Sequence, residues 1–485
     1  MKLNNLLLKP NVLFIVLDGL RSDKFHGTDK SSITPNIDSI IEKGVYFDQT
    51  ICHGSCSVPS VASIMTSLYP FESLIQDDNV FTINTNKKNN IQNFIDNGYT
   101  TYALHQEVLN FLGLKNFFHN VETYHDSLKL WNGLGDKIID FLKSDNLKKP
   151  WLYYVQIYDL HLLAYPIKTR LEEGPSEIHD SKFGNNHHER LVSAMDKWIG
   201  KIIENVDLKK TLVIITSDHG SEAGNYTQEM EEYNDQNIRV REYNHGKIYK
   251  LSHKIILSFP HFLLPLRKKL SQIYSKRAFN ITNKRMEPEF ERVDKINLRA
   301  YEKRIKIASV KGLTGLHDER YRVPLLFFGL DVPSNKKISQ QVRSIDIFPT
   351  IMNLIQLDYS KTQKHGISLL PLIRGELMEE LPAFLDGSKN APKFIPTDLV
   401  GVRTSKYKYF KNKYHDKNTH LYDLKNDPLE EYNIIEKKPD IAKKMNKLLL
   451  DFQDEHNFNP EKTDQLFDAE VEEKIEEKLR KLGYI

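Results

Sequence analysis

The chain has 485 residues, of which 40% are hydrophobic and 27% are charged, and its net charge is only +3. This composition is ordinary for a soluble globular protein, and the length provides a core for one large domain and a smaller one. The uninterrupted apolar runs are far shorter than the roughly 18 to 20 residues of a membrane-spanning helix. No transmembrane helix and no nucleic-acid partner are expected.

The N-terminal region and the cysteines indicate the compartment. Residues 1–10 contain a short leucine run but no small-residue cleavage site before the first apolar strand. The two cysteines, Cys52 and Cys56, lie in one loop, without a second pair for a zinc site or a disulfide framework. Together these features predict a cytoplasmic protein.

Apolar runs and helix signals alternate along the chain. Strands are predicted at Val12–Leu17, Thr100–Leu104, Trp151–Ile157, Leu212–Thr216 and Pro324–Phe328. Helices are predicted from Thr34 to Gly44 and at Pro59–Ser67, Leu191–Ile203 and Ile345–Ile355. Because strands and helices follow one another, we predict an α/β fold with a mostly parallel sheet flanked by helices.

The chain divides into a larger and a smaller part. Residues 1–376 are predicted to form the α/β domain, interrupted by a basic insertion at about 247–311. Residues 377–485 contain a short strand-like run, Lys406–Phe410, and then charged helical sequence. We predict that they form a smaller C-terminal α+β subdomain with a helical tail.

Two of the predicted strands end in acidic residues. Asp18 follows Val12–Leu17, and Asp218 and His219 come directly after the strand at Leu212–Thr216 and Ser217. In open α/β sheets, ligands bind just beyond the carboxyl ends of the strands. Two carboxylates and an imidazole at that edge would form an oxygen-rich cation site with room for an anionic substrate. The pattern therefore predicts a metal-dependent enzyme.

An ordered series of short motifs extends over nearly the whole chain. The motifs are Pro10–Asp18, Thr34–Asp38, Glu42–Phe47, Ser57–Ser63, Tyr158–His161, Ser217–Gly220, Asp318–Glu319, Arg322–Leu325, Asp346–Thr350, Leu369–Leu372, Arg403–Tyr409, Leu421–Leu424 and Asn426–Pro428. This series resembles the sulfatase family of alkaline-phosphatase-like hydrolases. The resemblance implies the alkaline-phosphatase-like fold and a substrate that is an anionic ester, sulfated or phosphorylated.

The resemblance also implies roles for single residues. Asp18, Asp218 and His219 match metal ligands. Ser57 matches the nucleophile, two residues before a proline, and His161 matches the histidine that contacts the transferred group or assists the leaving oxygen. A divalent cation is implied, with calcium expected and manganese, magnesium or zinc as alternatives.

The chain departs from the family pattern at four places. Val61 stands where the family has the arginine of the motif that directs conversion of the nucleophile to formylglycine, so we expect Ser57 to remain serine. Gly19 replaces a second aspartate. His105-Gln106 stand where a lysine is expected, and His317 replaces a tyrosine.

Four residues are secondary candidates for the site. Cys56 lies one residue from the nucleophile position, and its alternative role is that of a small buried side chain. His245, Lys311 and His317 are candidates for the cation or acid lost from the usual positions, with solvated surface roles as the alternative for His245 and Lys311.

The main candidates also have ordinary structural interpretations. Asp18 and Asp218 each follow a strand, where an aspartate often caps a helix. Ser57 precedes Pro59 and has the same alternative, and His161 could be a hydrogen-bonded core histidine.

Three functions are compatible with these residues. The first is a metal-dependent sulfatase-like hydrolase that cleaves a sulfate ester, on a glycan or a lipid-linked substrate, by attack from position 57. The second is a phosphoester or phosphonoester hydrolase or transferase that uses unmodified Ser57. The third is a catalytically silent protein of the same fold that binds a sulfated or phosphorylated glycan.

The basic insertion at about 247–311 carries 17 Lys or Arg against 5 Asp or Glu, a net charge of +12 that leaves −9 for the rest of the chain. Within it, Lys254–Lys269 joins an apolar stretch to a cationic cluster. Such a segment favours peripheral contact with an anionic membrane surface. Closure over a polyanionic sugar and a solvated helical hairpin are the alternatives. We predict salt-sensitive co-sedimentation with anionic vesicles; equally negligible binding to anionic and neutral vesicles would exclude membrane contact.

Overall fold

The computed structural model describes residues 9–77, 80–87, 89–144, 147–232, 235, 298–311, 315–358, 365–387, 399–412 and 419–456. His245, most of the basic insertion and the predicted tail at 457–485 lie outside these residues. The predictions for those segments, and the predicted cytoplasmic location, stay predictions. In the described part of the chain, no helix has the length and hydropathy needed to cross a membrane.

Strands and helices alternate through most of the described chain. The strands are β1 (Asn11–Leu17), β2 (Gly44–Ile51), β3 (Leu74–Asp77), β4 (Val80–Ile83), β5 (Thr100–Gln106), β6 (Asn120–Tyr124), β7 (Trp151–Ile157), β8 (Thr211–Ser217), β9 (Arg322–Phe328), β10 (Lys336–Ile338), β11 (Val342–Arg343), β12 (Ala383–Asp386), β13 (Leu399–Arg403), β14 (Tyr407–Asn412) and β15 (His420–Asp423).

The α-helices are α1 (Ser22–Phe25), α2 (Pro35–Glu42), α3 (Ser57–Thr66), α4 (Pro70–Ser73), α5 (Asn90–Asp96), α6 (Leu134–Lys143), α7 (Ile167–Glu173), α8 (His187–Glu204), α9 (Ala300–Lys311), α10 (Asp318–Tyr321), α11 (Ile347–Leu354), α12 (Leu370–Arg374) and α13 (Pro439–Glu455). Short 3-10 helices lie at Glu107–Leu112, Leu114–Asn116, Leu130–Asn132, Asp159–Ala164, Ser176–His179, Ser181–Phe183, Glu222–Asn225 and Ser344–Asp346.

The main sheet has the strand order β10-β2-β9-β8-β1-β7-β5-β6, with β11 also paired to β2. The central strands β1, β7 and β8 are buried along their whole length. Their continuous apolar sequences suit a sheet that is covered on both faces. The predicted α/β fold, a mostly parallel sheet flanked by helices, is confirmed.

Strand β9 departs from the expected parallel arrangement. It runs antiparallel to both of its neighbours, β8 and β2, whereas the other pairs of the main sheet are parallel. The N–H of Gly220, just after β8, donates to the carbonyl of Arg320, just before β9, at 2.8 Å. The chain therefore enters β9 at the edge where it left β8, and an antiparallel strand is the result.

A smaller antiparallel sheet follows in the order β12-β13-β14-β15. Helix α13 packs on it through the buried side chains of Met445 and Leu449, which share a cluster with Val402 and Leu421. This arrangement is the predicted C-terminal α+β unit. The boundary at residue 376 stays a prediction.

A buried ion-pair network joins the two sheets. Lys408 in β14 contacts Asp318 at 2.5 Å and Glu430 at 2.8 Å, and Arg403 in β13 pairs with Asp318 at 2.8 Å. Burial opposes ionisation of both carboxylates, but Arg403 and Lys408 hold the pKa of Asp318 well below its usual value. Against the same burial, Lys408 and His317 lower the pKa of Glu430 to about 2. Asp318 begins α10, the short helix that leads into β9, so the network attaches the small sheet to the large one.

Lys408→Met removes the cation between two buried carboxylates. We expect it to lower the free energy of unfolding by about 3–5 kcal/mol, the usual cost of breaking a buried ion pair. Urea unfolding at pH 7 measures this loss. Lys447→Met is the matched control, because Lys447 pairs with Asp451 on the surface and such a pair contributes at most about 1 kcal/mol. Equal effects of the two substitutions would contradict the role given to the network.

The same network predicts a pH dependence. The pKa values of Asp318 and Glu430 are lower in the folded than in the unfolded protein, so their contribution to stability is present above the unfolded-state pKa values, which are about 4 to 4.5. It is lost as the pH falls from there toward 2. We expect the free energy of unfolding of the unmodified chain to fall more steeply over this interval than that of Lys408→Met.

Candidate active site

The carboxyl ends of β1 and β8 bring two aspartates together. Leu17 pairs with Ser217 in the parallel register, so Asp18 and Asp218 each lie one residue beyond it on neighbouring strands. Asp18 is 3% exposed and Asp218 is fully buried. One oxygen of each carboxylate and one ring nitrogen of His219 lie within 4.8 Å of one another. The three predicted metal ligands therefore form one group in space.

Hydrogen bonds fix the orientation of Asp218 and His219. Asp218 Oδ1 accepts the backbone N–H groups of Gly19 at 3.2 Å and His219 at 2.8 Å, and Asp218 Oδ2 accepts Gln156 Nε2 at 3.2 Å. His219 Nδ1 lies 2.8 Å from the carbonyl of Gly220, which can only accept a hydrogen bond. Nδ1 therefore holds the proton, and the lone pair of Nε2 is available to a ligand.

The turn after β1 explains the glycine that replaces the family's second aspartate. Gly19 has φ +71°, in a backbone region that glycine adopts without strain. In this conformation its N–H points at Asp218. Gly19 therefore gives Asp218 a backbone hydrogen-bond donor, and it adds no carboxylate to the group.

Ser57 lies against the aspartates. Its Oγ donates a hydrogen bond to Asp18 Oδ2 at 2.7 Å and lies 3.4 Å from His219 Nε2. Helix α3 begins at Ser57, so the predicted start at Pro59 was two residues late. Proline is tolerated in the first turn, whose N–H groups have no partner within the helix. Cys56 occupies the N-cap position.

The helix-cap interpretations of the main candidates do not fit the structure. The N-cap of α1 is Arg21, that of α3 is Cys56, and that of the 3-10 helix after β8 is Ser221. Within the group described above, Asp18 and Asp218 instead accept hydrogen bonds, and Ser57 donates one.

The electrostatics of the group favour a cation. Burial, and next the charge of Asp218, raise the pKa of Asp18 well above its usual value, while the hydrogen bond from Ser57 opposes this rise. A divalent ion would offset both the burial and the repulsion between the carboxylates. Two carboxylates and an imidazole are also donors that divalent ions accept. The residues therefore fit the implied metal.

His161 and a lysine missed by the sequence reasoning lie nearby. The rings of His161 and Tyr158 stack with centroids 4.4 Å apart, and Lys129 Nζ donates to the carbonyl of Tyr158 at 3.3 Å. Burial, then the charges of Lys129 and His219, lower the pKa of His161 to about 3. Lys129 is itself buried and interacts electrostatically with Asp18. Lys129 therefore places a positive charge near Asp18 and His161.

The secondary candidates occupy other positions. Cys56 is a buried cysteine that forms no disulfide and lies at the start of α3, and Lys311 ends helix α9. His317 lies in the C-terminal cluster, with Nδ1 3.5 Å from Glu430 Oε1 and its ring edge-on to Phe410. It does not belong to the group formed by Asp18, Asp218 and His219.

Two family models match the chain. The sulfatase model matches residues 10–255, and the model of the C-terminal part of N-sulphoglucosamine sulphohydrolase matches residues 314–455. The chain belongs to the sulfatase family. The resemblance carried by the sequence motifs is therefore confirmed, and the family accounts for the order in which the strand-end motifs occur.

The chain is similar to N-acetylglucosamine-6-sulfatase of Homo sapiens, with 40% identity over 60 residues, which are 12% of this chain and 11% of that protein. It spans between 11% and 27% of the length of the curated relatives it matches. Among solved structures, a protein in complex with its substrate D-glucosamine-2-N,6-O-disulfate has a TM-score of 0.62 and 15% identity, covering 94% of this chain and all of the other.

The phosphonate monoester hydrolase of Agrobacterium radiobacter is similar as well. Its structure gives a TM-score of 0.61 at 14% identity, covering 92% of this chain and 96% of that one. At these identities the likeness shows the fold, which sulfatases and a phosphonate hydrolase share.

Asp218→Asn removes one candidate ligand charge while changing little packing. Mutation of a residue that only hydrogen-bonds to a metal ligand lowers metal affinity by about 10–100-fold. We expect Asp218→Asn to lower it by more than that, because Asp218 is itself a candidate ligand. The metal-free protein should melt at the same or a higher temperature, because repulsion with Asp18 is relieved. Metal content after dialysis and calorimetric melting check both points. Asp207→Asn, at an exposed carboxylate, is the control. Lost stability with unchanged metal content would support a structural role for Asp218.

Proposed function

We propose that the chain is a metal-dependent hydrolase that cleaves a sulfate ester by attack from position 57. The hydrogen bond from Ser57 Oγ to Asp18 Oδ2 at 2.7 Å carries this proposal, because it sets a nucleophile against a metal ligand. Membership of the sulfatase family supports it further.

Residues of the chain supply the nucleophile, the proton acceptor and the N–H groups that the displacement needs. Ser57 Oγ forms a bond to sulfur as the bond from sulfur to the organic oxygen breaks; the Ser57 proton passes to Asp18 and then to the departing oxygen, which leaves as an alcohol. Water then attacks sulfur, one of its protons returns to Ser57 Oγ as that ester bond breaks, and hydrogen sulfate leaves. The N–H groups in the first turn of α3 face the reacting group with the positive end of the helix dipole. A divalent ion held by Asp18, Asp218 and His219 would neutralise ester oxygens and lower the pKa of the Ser57 hydroxyl.

His161 is assigned to contact with the transferred group. With a pKa of about 3 its imidazole is neutral at pH 7, so it donates a hydrogen bond to an ester oxygen more readily than it delivers a proton. Lys129 lies close enough to His161 to affect its titration and adds a positive charge to the same side of the site. Both features support an anionic substrate.

We propose calcium as the metal, since two of the three donors are carboxylates. The imidazole of His219 makes manganese or zinc the alternatives. For the organic part, the names of similar proteins point to sugars: one is an N-acetylglucosamine-6-sulfatase, and another binds a disulfated glucosamine. A sulfated glycan is therefore the proposed substrate, with a lipid-linked sugar as a variant of it.

A phosphoester or phosphonoester hydrolase is the second candidate. Val61 is 1% exposed within the buried helix α3, at the position of the arginine in the motif that directs formylglycine formation. An unmodified serine is the nucleophile of phosphoester chemistry, and a phosphonate monoester hydrolase shares the fold. A silent glycan-binding protein is the third candidate, and bound metal without turnover of either ester would identify it.

Two substitutions test the nucleophile. Ser57→Ala should lower kcat by roughly 10³-fold or more, as loss of a nucleophile does, because no oxygen then lies against Asp18. Cys56→Ala should retain activity, since Cys56 occupies the N-cap position of α3 and its side chain forms no cap hydrogen bond. Assays on sulfated sugars, a phosphonate monoester and a phosphodiester measure both variants.

Peptide mass measurement across Cys52–Ser67 complements these assays. We expect unmodified serine at position 57, together with detectable phosphonate or phosphodiester cleavage. Formylglycine at position 56 or 57 would contradict this expectation and would establish the nucleophile that sulfatases ordinarily use.

A further inference from the structure

Three side chains from distant parts of the sequence converge away from the candidate active site. Glu72 lies in α4, His365 lies between α11 and α12, and His456 is the C-cap residue of α13. One donor atom from each lies within 4.8 Å of the others. All three residues are half-buried. We call this group the His-His-Glu cluster.

The backbone holds His365 in place. Its N–H donates to the carbonyl of Ser67 at 3.1 Å, and its own carbonyl accepts Arg343 Nη2 at 3.0 Å. Arg343 is neutralised by Asp346 at 2.8 Å. His365 Nε2 lies 2.6 Å from Glu72 Oε2. These contacts therefore fix the position of His365 in the cluster.

Aromatic rings enclose the two imidazoles. Tyr69 stacks on His365, with centroids 5.2 Å apart, and meets His456 edge-on at 5.5 Å. Phe452 lies 4.4 Å from His456 and 4.7 Å from Tyr69. This packing restricts the rotamers of both histidines and excludes part of the solvent, so the donors are held ready for a ligand.

The donor set is that of a transition-metal site. Two imidazoles and a carboxylate are a known three-ligand combination for zinc, with a fourth position for water. With bonds of about 2.0–2.2 Å, tetrahedral donors stand roughly 3.4 Å apart. Small side-chain rotations therefore bring the three atoms onto one ion.

We propose that Glu72, His365 and His456 form a second metal site, which binds a divalent transition-metal ion such as zinc. The site links three segments: helix α4, the segment before α12 and the end of α13. It is distinct from the group at Asp18 and Asp218, and it does not depend on the function proposed for that group.

Zinc alone is the probe for this site. The tag-free full chain is titrated calorimetrically in an Asp218→Asn background with excess calcium, so that zinc binding at the first site is suppressed. We expect the chain to bind one equivalent of zinc. Glu72→Gln or His456→Gln should raise the Kd for zinc at least tenfold. Zinc should raise the Tm only when the cluster is intact. His26→Gln is the matched control, because His26 also pairs with a carboxylate, Asp38, at 3.5 Å.

Unchanged zinc binding in both cluster variants would overturn the proposal. If either variant fails to fold, cobalt added to the Asp218→Asn chain gives a second measurement. Intense visible absorption bands, which four-coordinate cobalt produces, are expected and should disappear when zinc is added. The weak spectrum of hydrated cobalt would overturn the proposal in the same way.

Discussion

Two carboxylates buried side by side set the main electrostatic constraint on this molecule. The register of β1 and β8 forces Asp18 and Asp218 together, and four hydrogen-bond donors contact them: two backbone N–H groups, an amide and the Ser57 hydroxyl. The contrast with Asp318 and Glu430 is informative. There the chain supplies its own cations, Arg403 and Lys408, and the ion pairs connect the two sheets. At the strand ends the charge of Lys129 does not prevent burial and Asp218 from raising the pKa of Asp18, and the metal proposed above would supply the missing positive charge.

The sequence was most informative where one strong local signal decided the structure. Continuous apolar runs predicted β1, β7 and β8, and the strand-end rule predicted that Asp18, Asp218 and His219 lie at one edge of the sheet. The direction of β9 was not predictable in this way, because it depends on where the chain re-enters the sheet. The predicted start of α3 at Pro59 is two residues late because proline is tolerated throughout the first turn and does not mark its first residue.

Residues brought to a site by tertiary structure alone left no signal in the sequence. Lys129 is a single lysine between Leu128 and Leu130, and only the packing of its segment against Tyr158 reveals its position. His365 and His456 are 91 residues apart and belong to no motif with metal-ligand spacing. Both cases follow from the same limit: spacing in sequence reports on neighbours within a helix or strand, whereas contacts between elements depend on the whole fold.

The antiparallel direction of β9 has a consequence for how this protein can change over time. Residues that precede the basic insertion contact residues near its end: Lys306 in α9 pairs with Glu229 at 2.9 Å, and Tyr301 contacts Asn225. A segment whose two ends return to the same edge of the sheet can lengthen, shorten or change its charge while the register of β8 against β9 is kept. The border of the candidate active site can therefore vary while Asp18, Asp218 and Ser57 keep their positions.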